Sequence, residues 1–144
     1  MSDVRRVSPS EVKALVDQGF TYVDVRSEPE FAAGHPAGAV NVPIALASGG
    51  GMVPNPDFVR AVDATFGKDA KLVVGCLAGG RSLRAAQALI AAGFTSVVDQ
   101  RAGWGGARDA FGGLSEPGWA AAGLPVEQGE PDGRTWADVK ARLG

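Results

Sequence analysis

The single cysteine of the chain, Cys76, closes an apolar run and opens a glycine-rich turn: Leu72-Val73-Val74-Gly75-Cys76-Leu77-Ala78-Gly79-Gly80-Arg81-Ser82-Leu83. A thiolate is the nucleophilic form of cysteine, so the chemistry open to Cys76 depends on what surrounds it with positive potential. Successive backbone N–H groups in a tight loop tend to converge on one point. The stretch that follows, 83–92, is rich in helix formers and stops at Gly93, so a helix is predicted whose positive end faces the loop. Arg81 adds a fixed cation. A lone cysteine after an apolar strand is commonly a small buried hydrophobe. The glycines, the arginine and the helix behind them instead predict a thiol that ionises easily, at the junction of a strand and a loop.

Other polar residues fall where strands end. The run 20–26, Phe-Thr-Tyr-Val-Asp-Val-Arg, is predicted as a strand carrying Asp24 and Arg26 at the edge where α/β sheets meet their ligands. Asp24, Arg26 and Glu30 are expected to form one ion-pair and hydrogen-bond cluster that fixes loops near the site. His35, the only histidine, is read as a satisfied polar residue rather than a general base, since a base must reach the thiol within hydrogen-bond distance.

The elements that must hold these residues are marked by their ends. Ser8-Pro9-Ser10-Glu11 and Ser27-Glu28-Pro29-Glu30 are capping boxes with proline in the first turn. The first predicts a helix to about Gln18, stopped by Gly19, and the second a short turn of helix ending near Gly34. Ser48-Gly49-Gly50-Gly51 is loop chemistry and is expected to be mobile. Asn55-Pro56-Asp57 starts a third helix, with Phe58, Val59, Val62 and Phe66 on one face and Gly67 after it. The runs 71–75 and 94–99 read as strands, and 134–143 as a short terminal helix docked through Trp136, Val139 and Leu143. This alternation predicts an α/β fold: an open parallel sheet with helices on both faces.

Composition narrows the functional classes. A chain of 144 residues suits one domain, with a core over about 7–127 and the terminal helix docked on it. A formal charge of −2 gives no global field toward nucleic acid or an acidic membrane. One cysteine and one histidine exclude a disulfide framework and argue against a metal site or a Cys–His pair. No stretch reads as a signal peptide or a bilayer span, so a cytoplasmic protein is expected, in a reducing compartment that keeps the thiol reactive.

The spacing of the loop separates two chemistries. Cysteine phosphatases use Cys-x5-Arg, a ring wide enough for phosphate, whereas Cys76 and Arg81 are spaced Cys-x4-Arg. The loop resembles that of rhodanese-like sulfurtransferases, Cys-x-x-Gly-x-Arg-Ser, at Cys76, Gly79, Arg81 and Ser82. The segment 23–43 resembles the amino-terminal signature of the same family through Asp24, Arg26, Glu30, Phe31, Gly34, His35, Gly38, Ala39, Asn41 and Pro43. The chain reads His-Pro-Ala-Gly-Ala where the family often reads His-Ile-Pro-Gly-Ala. Trp119, Ala122, Gly123, Leu124, Pro125 and Val126 match the family's ending.

The resemblance implies a rhodanese fold with Asp24, Arg26, Glu30 and His35 as structural support. It implies a thiosulfate sulfurtransferase with no cofactor, in which Cys76 carries a persulfide. The amides of Leu77, Ala78, Gly79, Gly80 and Ser82 would stabilise the terminal sulfur, and Arg81 would bind an anionic donor such as thiosulfate. Ser82 would cap the helix or orient the loop. The acceptor would be cyanide or a thiol, such as a sulfur-carrier or thioredoxin-like protein. Three alternatives share the nucleophile: a phosphatase or arsenate reductase, a sulfur-relay or non-catalytic partner-binding module, and a redox sensor.

Against the family pattern, 101–117 is longer than usual. Two readings are open: a tolerated surface loop, or a lid over the Cys76 loop. In the second, Trp104 and Phe111 form an apolar wall and Arg101 or Arg108 attracts the donor.

Overall fold

Five strands form one parallel sheet, in the order Arg5–Val7, Ser96–Gln100, Lys71–Gly75, Thr21–Asp24 and Val40–Asn41. The computed structural model describes residues 4–143. In chain order it contains β1 (Arg5–Val7), α1 (Pro9–Asp17), β2 (Thr21–Asp24), α2 (Glu28–Ala33), β3 (His35–Pro36) and β4 (Val40–Asn41). Then come β5 (Ala45–Ser48), β6 (Gly51–Pro54), α3 (Phe58–Phe66), β7 (Lys71–Gly75), α4 (Gly80–Ala91) and β8 (Ser96–Gln100). The chain ends with β9 (Ala107–Arg108), β10 (Leu114–Glu116), β11 (Val126–Glu127) and α5 (Trp136–Ala141).

The sheet is covered on both sides because its strands are apolar at successive positions and side chains alternate between faces. Tyr22, Val73 and Val98 lie level in register and pack with Val12 of α1, Phe31 of α2 and Trp119. Val23, Leu72, Val74 and Val97 point the other way, into Phe58 and Val62 of α3, Leu89 of α4 and Val139 of α5. Both predicted capping boxes are formed, by Ser8 with Glu11 and by Ser27 with Glu30.

Parallel strands end on a common edge. The carboxyl ends of β2, β7 and β8 therefore bring Asp24, Gly75 and Gln100, and the loops after them, to one place. Gly75 is pressed against this core: a Cβ there would stand 1.7 Å from the Tyr22 hydroxyl oxygen.

Two elements depart from the sequence reading. The first is β1, which joins the sheet edge by pairing Arg5, Arg6 and Val7 with Val98, Asp99 and Gln100. Only Val7 of its three residues is buried, too short a run to show the period-two pattern of a strand. The second is the Ser48-Gly49-Gly50-Gly51 stretch, which turns a hairpin between β5 and β6 instead of forming a loop. Gly49 and Gly50 both take positive φ, +59° and +85°, as a two-residue hairpin turn of this hand requires. Among the described residues no helix is long and apolar enough to cross a membrane.

The terminal helix α5 buries Trp136 and Val139 in the core beside α3 and β4. Trp136→Ala should cost about 3–5 kcal/mol through the cavity it leaves. Thermal denaturation followed by circular dichroism checks this, and an unchanged midpoint would mean that the helix adds nothing to the core.

Candidate active site

Cys76 follows directly on β7, and Gly79 begins α4 as its N-cap. The residue is 2% exposed and counts with the core by burial, yet its sulfur meets polar groups. The backbone N–H of Gly79 donates to Sγ at 3.1 Å, and the Ser82 hydroxyl lies 3.4 Å away. The sulfur thus sits at the base of the loop with an amide aimed at it, an arrangement that favours negative charge there. Among the loop amides it is the one from Gly79 that reaches the sulfur; Leu77, Ala78 and Gly80 are exposed. Ser82 is not the helix cap. It lies buried in the first turn of α4, its hydroxyl shared between Cys76 Sγ and the Gly79 carbonyl.

Gly79 is held from three sides. Its φ of +95° is a left-handed conformation suited to glycine. A Cβ at this position would fall 2.4 Å from the Arg101 carbonyl oxygen and 2.8 Å from Arg6 Nη2. Arg6 Nη2 donates to the Gly79 carbonyl at 3.0 Å, while its Nε donates to Asp99 Oδ2 at 2.6 Å. Asp99 is fully buried beneath the loop. Burial pushes its carboxyl up from the ordinary range, and Ser82 and Arg6 oppose that rise. Neither Arg6 nor Asp99 was legible as part of the site. They are 93 residues apart and meet through the β1–β8 pairing, which the sequence pattern did not reveal.

The expected cluster of Asp24, Arg26 and Glu30 resolves into two separate pairs. Arg26 and Asp24 form a buried bidentate pair, with Nε to Oδ1 at 3.0 Å and Nη2 to Oδ2 at 2.8 Å. The Arg26 guanidinium also donates to the Gly34 carbonyl and lies 5.0 Å from the centre of the Trp104 ring. Glu30 pairs with Arg81, Nη1 to Oε1 at 2.8 Å and Nη2 to Oε2 at 3.0 Å. The fork of Arg81 is therefore engaged with a carboxylate rather than held open for an anionic donor. The pair ties the first turn of α4 to α2.

His35 is fully buried and stacked on Phe31 at a centroid distance of 3.7 Å. Its Nδ1 faces the Phe31 carbonyl and its Nε2 faces Glu127. Both ring nitrogens are occupied by groups other than Cys76. Glu127, which also accepts from both terminal guanidinium nitrogens of Arg134, was missed; no local spacing links it to His35.

The 101–117 segment does reach the Cys76 loop, through its backbone. The N–H of Trp104 donates to the Cys76 carbonyl and that of Gly105 to the Leu77 carbonyl, both at 2.7 Å. Gly103 has φ +64°, and a Cβ on it would lie 2.5 Å from both of those carbonyl oxygens. Trp104 packs beside the site against Gly34 and Arg26. The rest of the expected lid is placed differently. Arg101 is paired with Glu116 through two hydrogen bonds. Phe111 is 96% exposed at the turn between β9 and β10, packed against nothing, so it builds no apolar wall. Arg108 is exposed on that hairpin. Among the described residues no group of three or more His, Cys, Asp or Glu side chains is placed to hold a metal ion.

The Arg81–Glu30 pair has a pH signature. The hydrogen bond from Arg81 is the main cause that brings the Glu30 carboxyl from an ordinary 4.5 down to about 2, with burial opposing and Ser27 assisting. A carboxyl depressed in the folded state stabilises the fold above its unfolded value and loses that contribution as pH falls through the folded one. The pair should therefore contribute fully above about 4.5 and nothing below about 2. Partial exposure limits its worth to under about 1 kcal/mol. Glu30→Gln should flatten the loss of stability across that window, measured by urea denaturation at several pH values. An unchanged acid limb would contradict the assignment.

Comparison with known proteins gives a consistent picture. The family model described as "Rhodanese-like domain" matches residues 8–109. The chain is 40% identical over 132 residues to "Thiosulfate sulfurtransferase 16, chloroplastic" of Arabidopsis thaliana, covering 88% of this chain and 99% of that one. It is 36% identical over 104 residues to "Thiosulfate sulfurtransferase GlpE" of Pseudomonas fluorescens, covering 72% and 84%. It is also 39% identical over 116 residues to "Senescence-associated protein DIN1" of Raphanus sativus, where it covers 81% of this chain but 57% of the relative's length. Among solved structures, Rv0390 from M. tuberculosis superposes with a TM-score of 0.73 at 28% identity, over 89% of this chain and all of that one.

Proposed function

We propose that this chain, which belongs to the rhodanese-like family, moves a sulfane sulfur from a small anionic donor to a nucleophilic acceptor through a persulfide on Cys76. The observation that carries the reading is the Gly79 N–H aimed at Cys76 Sγ inside a loop of four residues between Cys76 and Arg81.

In the first half-reaction the Cys76 thiolate attacks the outer sulfur of thiosulfate. A new S–S bond forms, the sulfur–sulfur bond of thiosulfate breaks, and sulfite leaves with its electron pair. The negative charge now sits on the terminal sulfur. Backbone amides fixed before the reaction stabilise such charge without reorganising, as in an oxyanion hole. In the second half-reaction cyanide or a thiolate attacks that terminal sulfur, and Cys76 departs as a thiolate. No cofactor enters the scheme, because the sulfur is carried covalently. Two half-reactions through one covalent intermediate give ping-pong kinetics.

The positions of the supporting residues fit this scheme better than phosphate chemistry. A phosphatase loop of this kind places five residues between its cysteine and arginine, and here four separate Cys76 from Arg81. Relatives named thiosulfate sulfurtransferases favour thiosulfate as the donor.

Intact mass after exposure to thiosulfate should show a gain of one sulfur atom, removed by cyanide and absent in Cys76→Ser. Para-nitrophenyl phosphate should not be hydrolysed. Absence of the adduct with thiosulfate and other sulfane donors, or phosphate release dependent on Cys76, would overturn the reading.

A further inference from the structure

The β9–β10 hairpin is left unused by the chemistry above. Its base is fixed to the Cys76 loop, yet its far end carries apolar side chains into solvent. Phe111 is 96% exposed, Leu114 52% and Leu77 43%. They are not scattered. Leu77 Cδ1 lies beside Gly105 and Leu114 Cδ1 beside Gly106, so a two-glycine step joins the two leucines into one apolar strip starting next to the nucleophile.

The tip is ordered by its own hydrogen bonds. The Asp109 carboxylate accepts the N–H groups of Phe111 at 2.9 Å and Gly113 at 3.0 Å. Phe111 is thus held outward by a built turn. Arg108 stands opposite Leu114 in the antiparallel register, and opposed residues share a face. Among the described residues no carboxylate lies within ion-pair distance of Arg108, whereas neighbouring Arg101 is taken by Glu116.

We propose that this face docks a protein thiol acceptor, one whose receiving cysteine is bordered by an apolar surface and by a carboxylate that meets Arg108. The proposal rests on the persulfide reading and names its acceptor. Cys76 is nearly enclosed at 2% exposure, so a protein acceptor must bring its cysteine to the mouth of the loop and lay the surrounding surface on the rim. That rim includes Leu77 and the hairpin. A small anion reaching the sulfur has no use for a side chain at the hairpin tip. A second copy of this chain is a poor occupant, because its one cysteine is Cys76 itself and exchange between identical nucleophiles moves no sulfur onward. Apolar anchors supply most of the affinity in such contacts, and an unpaired charge at the rim sets approach and register.

The test uses the full chain loaded with thiosulfate, freed of donor, then discharged to reduced thioredoxin as the protein probe or to cyanide as the small one. Intact mass follows loss of the added sulfur. Phe111→Ser and Arg108→Glu alter exposed positions and should load from thiosulfate and discharge to cyanide as the parent does. Their discharge to thioredoxin should slow, about tenfold when combined. Transfer to thioredoxin at the parent rate would overturn the proposal. So would equal slowing with cyanide, which would make the hairpin a support for the loop. A parent dimer in solution that these substitutions dissociate would assign the face to a second copy. A parent that never gains sulfur would instead sink the persulfide reading, and the docking role with it.

Discussion

The backbone of Gly79 is the constraint on which the site depends. Its N–H points at Cys76 Sγ, and its carbonyl is held by Arg6 and Ser82. Its conformation belongs to the left-handed region, and the Arg101 carbonyl occupies the space a side chain would need. A single peptide thus ties together the end of β7, the start of α4, the edge strand β1 and the segment after β8. Cysteine buried among valines and leucines would ordinarily be an inert filler of the core. Here one amide and one hydroxyl face the sulfur while its carbon atoms pack as a hydrophobe would.

Around that peptide the structure spends its buried charges on position. Arg26 with Asp24 fixes the loop after β2, and Arg81 with Glu30 joins α2 to the first turn of α4. Arg6 with Asp99 props the floor beneath Gly79. Buried or half-buried pairs of this kind add little net stability once desolvation is counted, but they set geometry. The sulfur is thereby left with the Gly79 amide and the Ser82 hydroxyl as its immediate partners, and the arginines act one step removed. This division explains how a loop two glycines wide can be both flexible in composition and fixed in place.

Much of this was legible in the sequence, for local reasons. The capping boxes at Ser8 and Ser27 are four-residue patterns, and both helices begin where those patterns place them. The strand, loop and helix around Cys76 follow from an apolar run, glycines and helix formers in immediate succession. The fold class followed from the alternation of such elements. What escaped was non-local or too short. β1 offers three residues with one buried, and the Arg6–Asp99 contact depends on it. The partner of Glu30 could not be chosen between Arg26 and Arg81 by spacing, since charges of either sign at strand ends look alike in one dimension. The hairpin at 107–116 was visible as extra length. Its base is fixed by backbone hydrogen bonds to Cys76 and Leu77 that carry no side-chain signal, and its tip leaves Phe111 in solvent.

The central claim is that a cradle of backbone amides around Cys76 holds a negatively charged sulfur. The most direct measurement is a crystal structure after soaking in thiosulfate. The account predicts added density bonded to Cys76 Sγ, its terminal atom within hydrogen-bond distance of amides between Leu77 and Ser82, with the Gly79 peptide oriented as it is now. A thiol left bare by the donor, or a bound sulfur turned away from those amides toward side chains alone, would contradict it.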